Sequence, residues 1–158
     1  MDILELVRNN DIKRLKEILK IESNINVQNS FGNTPLHLAC MNGAFEIAKL
    51  LLINGANPNI KNIVGYIPLH DAVYYEHVNI VKLLIQFKSN VNEQDESGNT
   101  PLHYAVQKGN KEIIKILILN GAKLDIKNND SKTPLDLASN EIKNFINDLL
   151  RNSMNNNI

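Results

Sequence analysis

Cysteine, tryptophan and net charge are scarce or missing in this sequence of 158 residues. A single cysteine, Cys40, excludes an intramolecular disulfide and argues against a small secreted fold held together by disulfides. The 17 basic and 17 acidic residues cancel, so bulk charge would not hold the protein on nucleic acid or on an anionic membrane. We therefore expect no direct binding of nucleic acid and no attachment to a membrane.

Long apolar runs are also missing. No stretch approaches the roughly 20 apolar residues that a transmembrane helix needs. The segment from Met1 to Arg8 carries acidic side chains and no basic leader, which does not fit a secretory signal peptide. We therefore expect a soluble, monomeric, intracellular protein in the cytoplasm, or alternatively in the nucleus, with Cys40 buried in its core.

Sequence motifs for catalysis are absent as well. The seven glycines are spread along the chain instead of forming a phosphate-binding loop, and no serine or cysteine stands in a recognisable nucleophile motif. We expect no enzymatic activity, no cofactor and no small-molecule substrate.

One four-residue motif recurs at a fixed spacing of 33 residues. Its copies are Thr34-Pro35-Leu36-His37, Ile67-Pro68-Leu69-His70, Thr100-Pro101-Leu102-His103 and Thr133-Pro134-Leu135-Asp136. A threonine hydroxyl can accept hydrogen bonds from the free amides of a helix's first turn, and proline next to it has a helical φ and no N–H to leave unpaired. A helix start repeated at this period is typical of a protein built from stacked repeats.

The residues that follow the motif match the pattern of a known family. In the first complete copy they are Leu36-His37-Leu38-Ala39, Gly43, Leu50-Leu51 and Asn54-Gly55-Ala56-Asn57-Pro58-Asn59, and in these positions the chain resembles the ankyrin repeat. The resemblance implies an all-α repeat solenoid of paired antiparallel helices joined by short β-hairpin loops. It also implies a module that binds another protein or peptide, without naming which one.

The repeat boundaries follow from the motif. We predict a single ankyrin-repeat domain over residues 1–150, with full repeats at 33–65, 66–98 and 99–131. Residues 1–32 and 132–150 would form capping repeats, because a terminal repeat has one face without a neighbour. The polar segment 151–158 is predicted to be a disordered tail.

Three histidines recur with the motif and could suggest a metal site. Equivalent residues of stacked helices lie roughly 8–10 Å apart, whereas zinc ligands lie about 2 Å from the ion, so His37, His70 and His103 should not share a metal. The resemblance implies that they bond to the backbone of the neighbouring loop instead. We expect no metal.

Positions that differ between repeats carry the information about binding. In the family they lie at loop tips and on the inner side of the first helix, and all four tyrosines of the chain fall there. Tyrosine offers a large contact area and a polar group, which suits an interface. The predicted partner-binding residues are Phe31, Met41, Ile63, Val64, Tyr66, Asp71, Tyr74, Tyr75, Glu96, Tyr104 and Lys108.

Four interpretations of these residues remain open. The first is an adaptor that binds an apolar or aromatic segment in a concave groove. The second is a reader of a basic peptide such as a histone tail, since Asp71 stands close to Tyr74, Tyr75 and Glu76. The third is an assembly chaperone or host-directed effector that binds a folded complex. Alternatively, some of these side chains, especially Val64 and Tyr104, pack only against adjacent repeats.

The second full repeat departs most from the family pattern. Ile67 replaces the capping threonine, at a cost of about 1 kcal/mol. Glu76 stands where Gly43 and Gly109 end a helix, and Lys88 stands at the position of Gly55 and Gly121. Glycine at such positions serves a left-handed backbone, so Glu76 and Lys88 are predicted to be strained.

Overall fold

Helices joined by short loops make up the structure, a computed structural model that describes residues 2–22 and 24–156. The all-α prediction is confirmed for these residues. Within residues 2–22 and 24–156, no helix combines the length and the apolar composition that a membrane-spanning segment requires. The chain divides into two units, residues 1–90 and residues 91–158.

The first unit contains six helices arranged as three pairs, which are α1 (Ile3–Arg8) with α2 (Ile12–Ile18), α3 (Pro35–Asn42) with α4 (Phe45–Ile53), and α5 (Pro68–Tyr74) with α6 (Val78–Gln86). The first helices α1, α3 and α5 pack side by side, and the second helices α2, α4 and α6 form a second row behind them. Fully buried Leu15, Ile47, Leu51, Ile80 and Leu84 fill the space between the rows.

The second unit repeats this arrangement with four helices, which are α7 (Pro101–Lys108), α8 (Lys111–Leu119), α9 (Pro134–Leu137) and α10 (Asn140–Asn155). Helix α7 packs on α8 and α9, and α8 packs on α10. Its core is built from Leu102, Ile113, Ile114, Leu117 and Ile146, each fully buried.

The recurring motif starts α3, α7 and α9 by the capping that the sequence predicts. At α3 the Thr34 hydroxyl accepts from the His37 N–H at 3.2 Å, while His37 Nδ1 accepts from the Thr34 N–H at 3.1 Å. At α5 only half of this exchange is possible, because Ile67 has no side-chain oxygen. The Ile67 N–H still donates to His70 Nδ1 at 3.1 Å, and the Ile67 side chain is fully buried.

The loops between repeats differ from the predicted β-hairpins, since no strand occurs in the described ranges. Each loop contains an Asn or Asp whose side-chain oxygen accepts hydrogen bonds from two backbone N–H groups. Asn62 Oδ1, for example, accepts from the Val64 and Tyr66 N–H groups. One backbone bond, from Asn62 N–H to the Tyr66 carbonyl at 2.9 Å, closes the loop. Because Asn62 Oδ1 accepts from the Val64 and Tyr66 N–H groups, these two donors are not free to form a ladder of backbone bonds.

The predicted disordered tail is also corrected in part. Helix α10 continues through Asn155, so residues 151–155 are helical, while residues 157 and 158 lie outside the described part of the chain. Ser139 caps this helix, and no glycine or proline interrupts the sequence up to Asn155. Nothing therefore stops the helix where its buried face ends at Ile146.

The left-handed backbone predicted in the second repeat is confirmed. Glu76 has φ 60° and Lys88 has φ 69°, close to the φ of 69° at Gly43. An L-residue in this conformation costs about 1–2 kcal/mol.

Candidate protein-binding groove

A groove of about 380 Å³ opens on the surface of the first unit. Most of the partner-binding residues predicted for that unit line it, together with two asparagines: Phe31, Asn33, Met41, Asn62, Ile63, Val64, Tyr66, Asp71 and Tyr75. The structure thus brings together seven residues that the sequence analysis selected from two loops and two helices. These nine residues together form the groove.

Two loop tips supply the exposed apolar wall of the groove. Phe31 is 62% exposed and Ile63 is 63% exposed, and the Ile63 N–H donates to the Phe31 carbonyl at 3.1 Å. Gly32 permits this contact, because a Cβ there would lie 2.9 Å from the Ile63 backbone nitrogen. The two tips are therefore held side by side by their backbones.

The tyrosines of the first unit divide between the groove and its edge. Tyr66 lines the groove and stacks on His70, with ring centroids 5.3 Å apart and planes inclined by 13°. Tyr75 also lines it, and the ring of Tyr74 meets Tyr75 edge-on at 5.1 Å. Tyr74 is thus adjacent to a lining residue and outside the lining itself.

Half of the large apolar side chains that are exposed in the described residues belong to the predicted set. Phe31, Ile63, Val64, Tyr74 and Tyr75 are these five, and Val64 is 47% exposed. Val64 is therefore more exposed than a residue that only packs against an adjacent repeat would be. An exposed apolar patch of this kind on a small domain is typical of a site that another molecule covers.

Asp71 is the acidic residue of the groove, and it is almost completely covered. It lies in α5 at 4% exposure, and its Oδ2 atom has no hydrogen-bond partner in the described part of the chain. Burial raises the pKa of the Asp71 carboxyl to about 8, because a charge loses its hydration there. Burial also raises the pKa of the Cys40 thiol, and the nearby Asp71 carboxylate raises it further.

His37 anchors the wall of the groove to α3. Its Nε2–H donates to the Tyr66 carbonyl at 2.8 Å, while Nδ1 accepts from the Thr34 N–H. Burial lowers the pKa of His37 to about 4, so the ring is neutral at physiological pH, as this pair of bonds requires. His103 makes the equivalent bond to the Lys132 carbonyl at 3.0 Å, which confirms the structural role predicted for both histidines.

The remaining predicted partner-binding residues belong to the second unit. Glu96 and Lys108 are exposed there, while Tyr104 is half-buried. The Tyr104 hydroxyl donates to Asp95 Oδ2 and accepts from Asn99 Nδ2 at 3.5 Å. Tyr104 is thereby fixed to the loop before its helix.

Asn33 is one of the positions that vary between repeats, but neither Asn33 nor Asn62 is in the predicted partner-binding set, although both line the groove. Asn62 Nδ2 donates to Asn33 Oδ1 at 2.9 Å and links the two loops. The sequence could have identified Asn62 as a loop residue, because Asn29, Asn62, Asp95 and Asn128 recur every 33 residues. No group of three or more potential metal ligands occurs among residues 2–22 and 24–156.

Comparison with known proteins agrees with the repeat pattern. The family described as "Ankyrin repeats (3 copies)" matches residues 3–95 and 69–158. A curated relative, the BTB/POZ domain and ankyrin repeat-containing protein NPR3 of Oryza sativa subsp. japonica, is 51% identical over 45 residues. That match covers 28% of this chain and 8% of the rice protein. The chain belongs to the ankyrin repeat family, whose members are in general protein-interaction modules.

Proposed function

We propose that the chain is a protein-binding module that takes a segment of its partner into the groove. The observation that carries this proposal is the cluster of exposed apolar side chains, with Phe31 and Ile63 each more than half exposed around one concavity of about 380 Å³. Fully burying an aliphatic or aromatic side chain of this size contributes about 1.5–3 kcal/mol. A partner that covered the patch would gain much of that contribution from each side chain.

The arrangement also limits the loss of entropy on binding. The loop tips are joined through backbone and asparagine bonds, and Tyr66 is held by its stacking on His70. Side chains that are ordered before binding lose less freedom in the complex. This supports an extended segment that binds against loop tips whose backbones are already held in place. We propose that Tyr74, at the edge, touches the same segment.

The inside of the cell is the compartment that we propose. Cys40 is free and fully buried, as suits the reducing cytoplasm or nucleus. Glu96, Tyr104 and Lys108 of the second unit remain proposed contacts for a longer partner.

Selection from a phage-displayed library of random dodecapeptides tests the proposal. Enriched peptides are synthesised, and their affinities for the wild type and for Ile63→Ser are measured by fluorescence anisotropy. We expect Ile63→Ser to weaken binding by about tenfold or more, because the exposed isoleucine would be buried in the complex.

Ile53→Ser is the matched control. Ile53 is 62% exposed, against 63% for Ile63, and lies at the end of α4 outside the groove. Equal affinities of wild type, Ile63→Ser and Ile53→Ser would contradict the proposal. If no peptide is enriched but a folded protein binds in an Ile63-dependent manner, the groove meets a folded surface, as an assembly chaperone or effector would require.

A further inference from the structure

We propose that the groove receives a lysine or arginine side chain of the partner, whose cationic head group pairs with the Asp71 carboxylate beside the rings of Tyr66 and Tyr75. This inference rests on the proposed function, namely that the groove is the partner site, and it adds the chemistry of the anchoring residue.

One oxygen of Asp71 is left unsatisfied by the described part of the chain. Asp71 Oδ2 is buried without a hydrogen-bond partner in the described residues, and such an atom costs a folded protein stability. In its ionised form the carboxylate only accepts hydrogen bonds, so the group that completes the site in that form is a donor. A cationic donor satisfies the charge and the lone pairs together.

The equivalent helix position of the preceding repeat holds an apolar residue. Asp71 in α5 corresponds to Leu38 in α3, 33 residues earlier, and Leu38 is also buried, at 8% exposure. A leucine therefore suits this position in the neighbouring repeat, and the fold does not require an acid. An acidic group that weakens the fold without a structural partner is typical of a binding site.

The lining of the groove suits a long cationic side chain. It contains no lysine or arginine among the described residues, so nothing in the lining competes for the carboxylate. The faces of Tyr66 and Tyr75 attract a cation, and the aliphatic stem of lysine or arginine can lie along Phe31 and Ile63. Because Asp71 is 4% exposed, the entering head group must displace lining side chains, of which unbranched Met41 is the most adaptable.

Other titratable groups surround Asp71 in the first unit. Helix α5 packs against α3 and α6, and the titratable or charged residues of these elements and of the adjoining loops are His37, Cys40, Lys61, Tyr66, His70, Tyr74, Tyr75, Glu76, His77 and Lys82. Lys61 and Lys82 are exposed, so neither lies buried beside the carboxyl. Contributions of the other groups cancel when wild type is compared with Asp71→Asn, which keeps the shape of the side chain.

Occupation by a cation releases a proton. With a pKa of about 8, the Asp71 carboxyl is mostly protonated at neutral pH, so its O–H bond breaks on binding and the proton passes to the buffer. As the pH increases toward 8, the affinity for a cationic side chain should therefore rise about tenfold for each pH unit. Above pH 8 the affinity should level off. An apolar occupant gives the opposite result, since it requires the neutral acid and binds more weakly above pH 8.

Three synthetic peptide pools test the inference. They share random flanks of apolar residues and differ at one central position, which is lysine, arginine or norleucine. Anisotropy with the whole chain should show at least about tenfold tighter binding of the lysine or arginine pool, rising with pH. Asp71→Asn should remove both the preference and the pH dependence.

Asp71→Leu separates this role from a structural one. It should lose the cationic preference while raising the melting temperature, whereas loss of a merely structural residue lowers it. Equal affinity for the three pools, or a preference that survives in Asp71→Asn, would overturn the inference. If the norleucine pool binds tightest and Ile63→Ser weakens it, the proposed function stands and the cationic anchor does not.

Discussion

Asp71 combines three properties that a residue kept only for packing would not have: it is acidic, it is buried, and one of its oxygens is unpaired in the described residues. Neighbouring polar residues of the same wall, His37 and Thr34, satisfy each other and the Tyr66 backbone. In this wall of the groove, the unmet hydrogen bond therefore belongs to Asp71, whereas Thr34 and His37 have partners. It also makes Asp71 the residue whose removal should improve stability.

The pH dependence of stability tests the burial of Asp71. The folded-state pKa of about 8 lies above the ordinary value of about 3.9, so the folded chain binds this proton more tightly than the unfolded chain. The protonated Asp71 carboxyl therefore makes its full contribution to the free energy of unfolding below about pH 4. This contribution is lost as the pH rises to about 8, by up to about 1.4 kcal/mol for each pH unit.

Urea unfolding of wild type and Asp71→Asn between about pH 4 and pH 8 measures this loss of stability. The variant should gain stability relative to the wild type as the pH rises. A constant difference between the two would show that the carboxyl ionises freely in the folded state.

Lys88 offers a second test at the same scale. Its φ of 69° is left-handed, whereas Gly55 and Gly121 occupy the equivalent positions with φ of 92° and 93°. Lys88→Gly removes a strain of about 1–2 kcal/mol and gives back about 0.5–1 kcal/mol through the more flexible unfolded chain. We expect a net stabilisation of up to about 1.5 kcal/mol by chemical denaturation. Lys88→Ala, which keeps the Cβ, should give none, and a gain there would assign the effect to the lost charge.

Among the helices, α3, α7 and α9 begin with a reciprocal pair of hydrogen bonds. The Thr34 hydroxyl lies 2.8 Å from His37 Nδ1 and also accepts the His37 amide, so one hydroxyl serves the helix end and the ring that supports Tyr66. Helix α5 forms without this hydroxyl, because the buried Ile67 side chain compensates through packing. The capping therefore stabilises the helices without being indispensable to every one of them.

Thr34→Val measures this contribution. Valine keeps the shape of threonine and removes the hydroxyl, so we expect a loss of about 1 kcal/mol and up to about 2 kcal/mol. The midpoint of urea unfolding gives the value. Thr34→Ser, which keeps the hydroxyl, is the control, and an equal loss in both variants would mean that the methyl group matters instead.

Most of the fold could be predicted from the sequence at this scale, because the capping motif and the 33-residue period fix where the helices begin. The end of α10 could not. Asn152, Ser153 and Asn155 are individually poor helix formers, but an already nucleated helix adds residues at little cost. The absence of strands was missed because the Asn62 and Asp95 side chains take the donors that a ladder would use.

Across the whole molecule, the fold and the groove were predicted from different sets of residues. Ankyrin repeats and the all-α class followed from residues that recur, since the same packing problem is solved repeatedly. The groove followed from residues that vary, and position within the repeat was enough to select Phe31, Ile63, Val64, Tyr66 and Tyr75. The depth of Asp71 and the part played by Asn62 depend on contacts between repeats, which one repeat's sequence does not reveal.

Occupation of the groove by a partner segment can be followed by NMR, in a titration of the isotope-labelled chain with a library-enriched peptide. We expect the amide signals of Phe31, Ile63, Val64, Tyr66 and Tyr75 to shift together and saturate at one affinity. Signals near Ile53, at the end of α4, should stay in place. Shifts confined to α4 or to the second unit, with the groove signals unchanged, would contradict occupation of the groove.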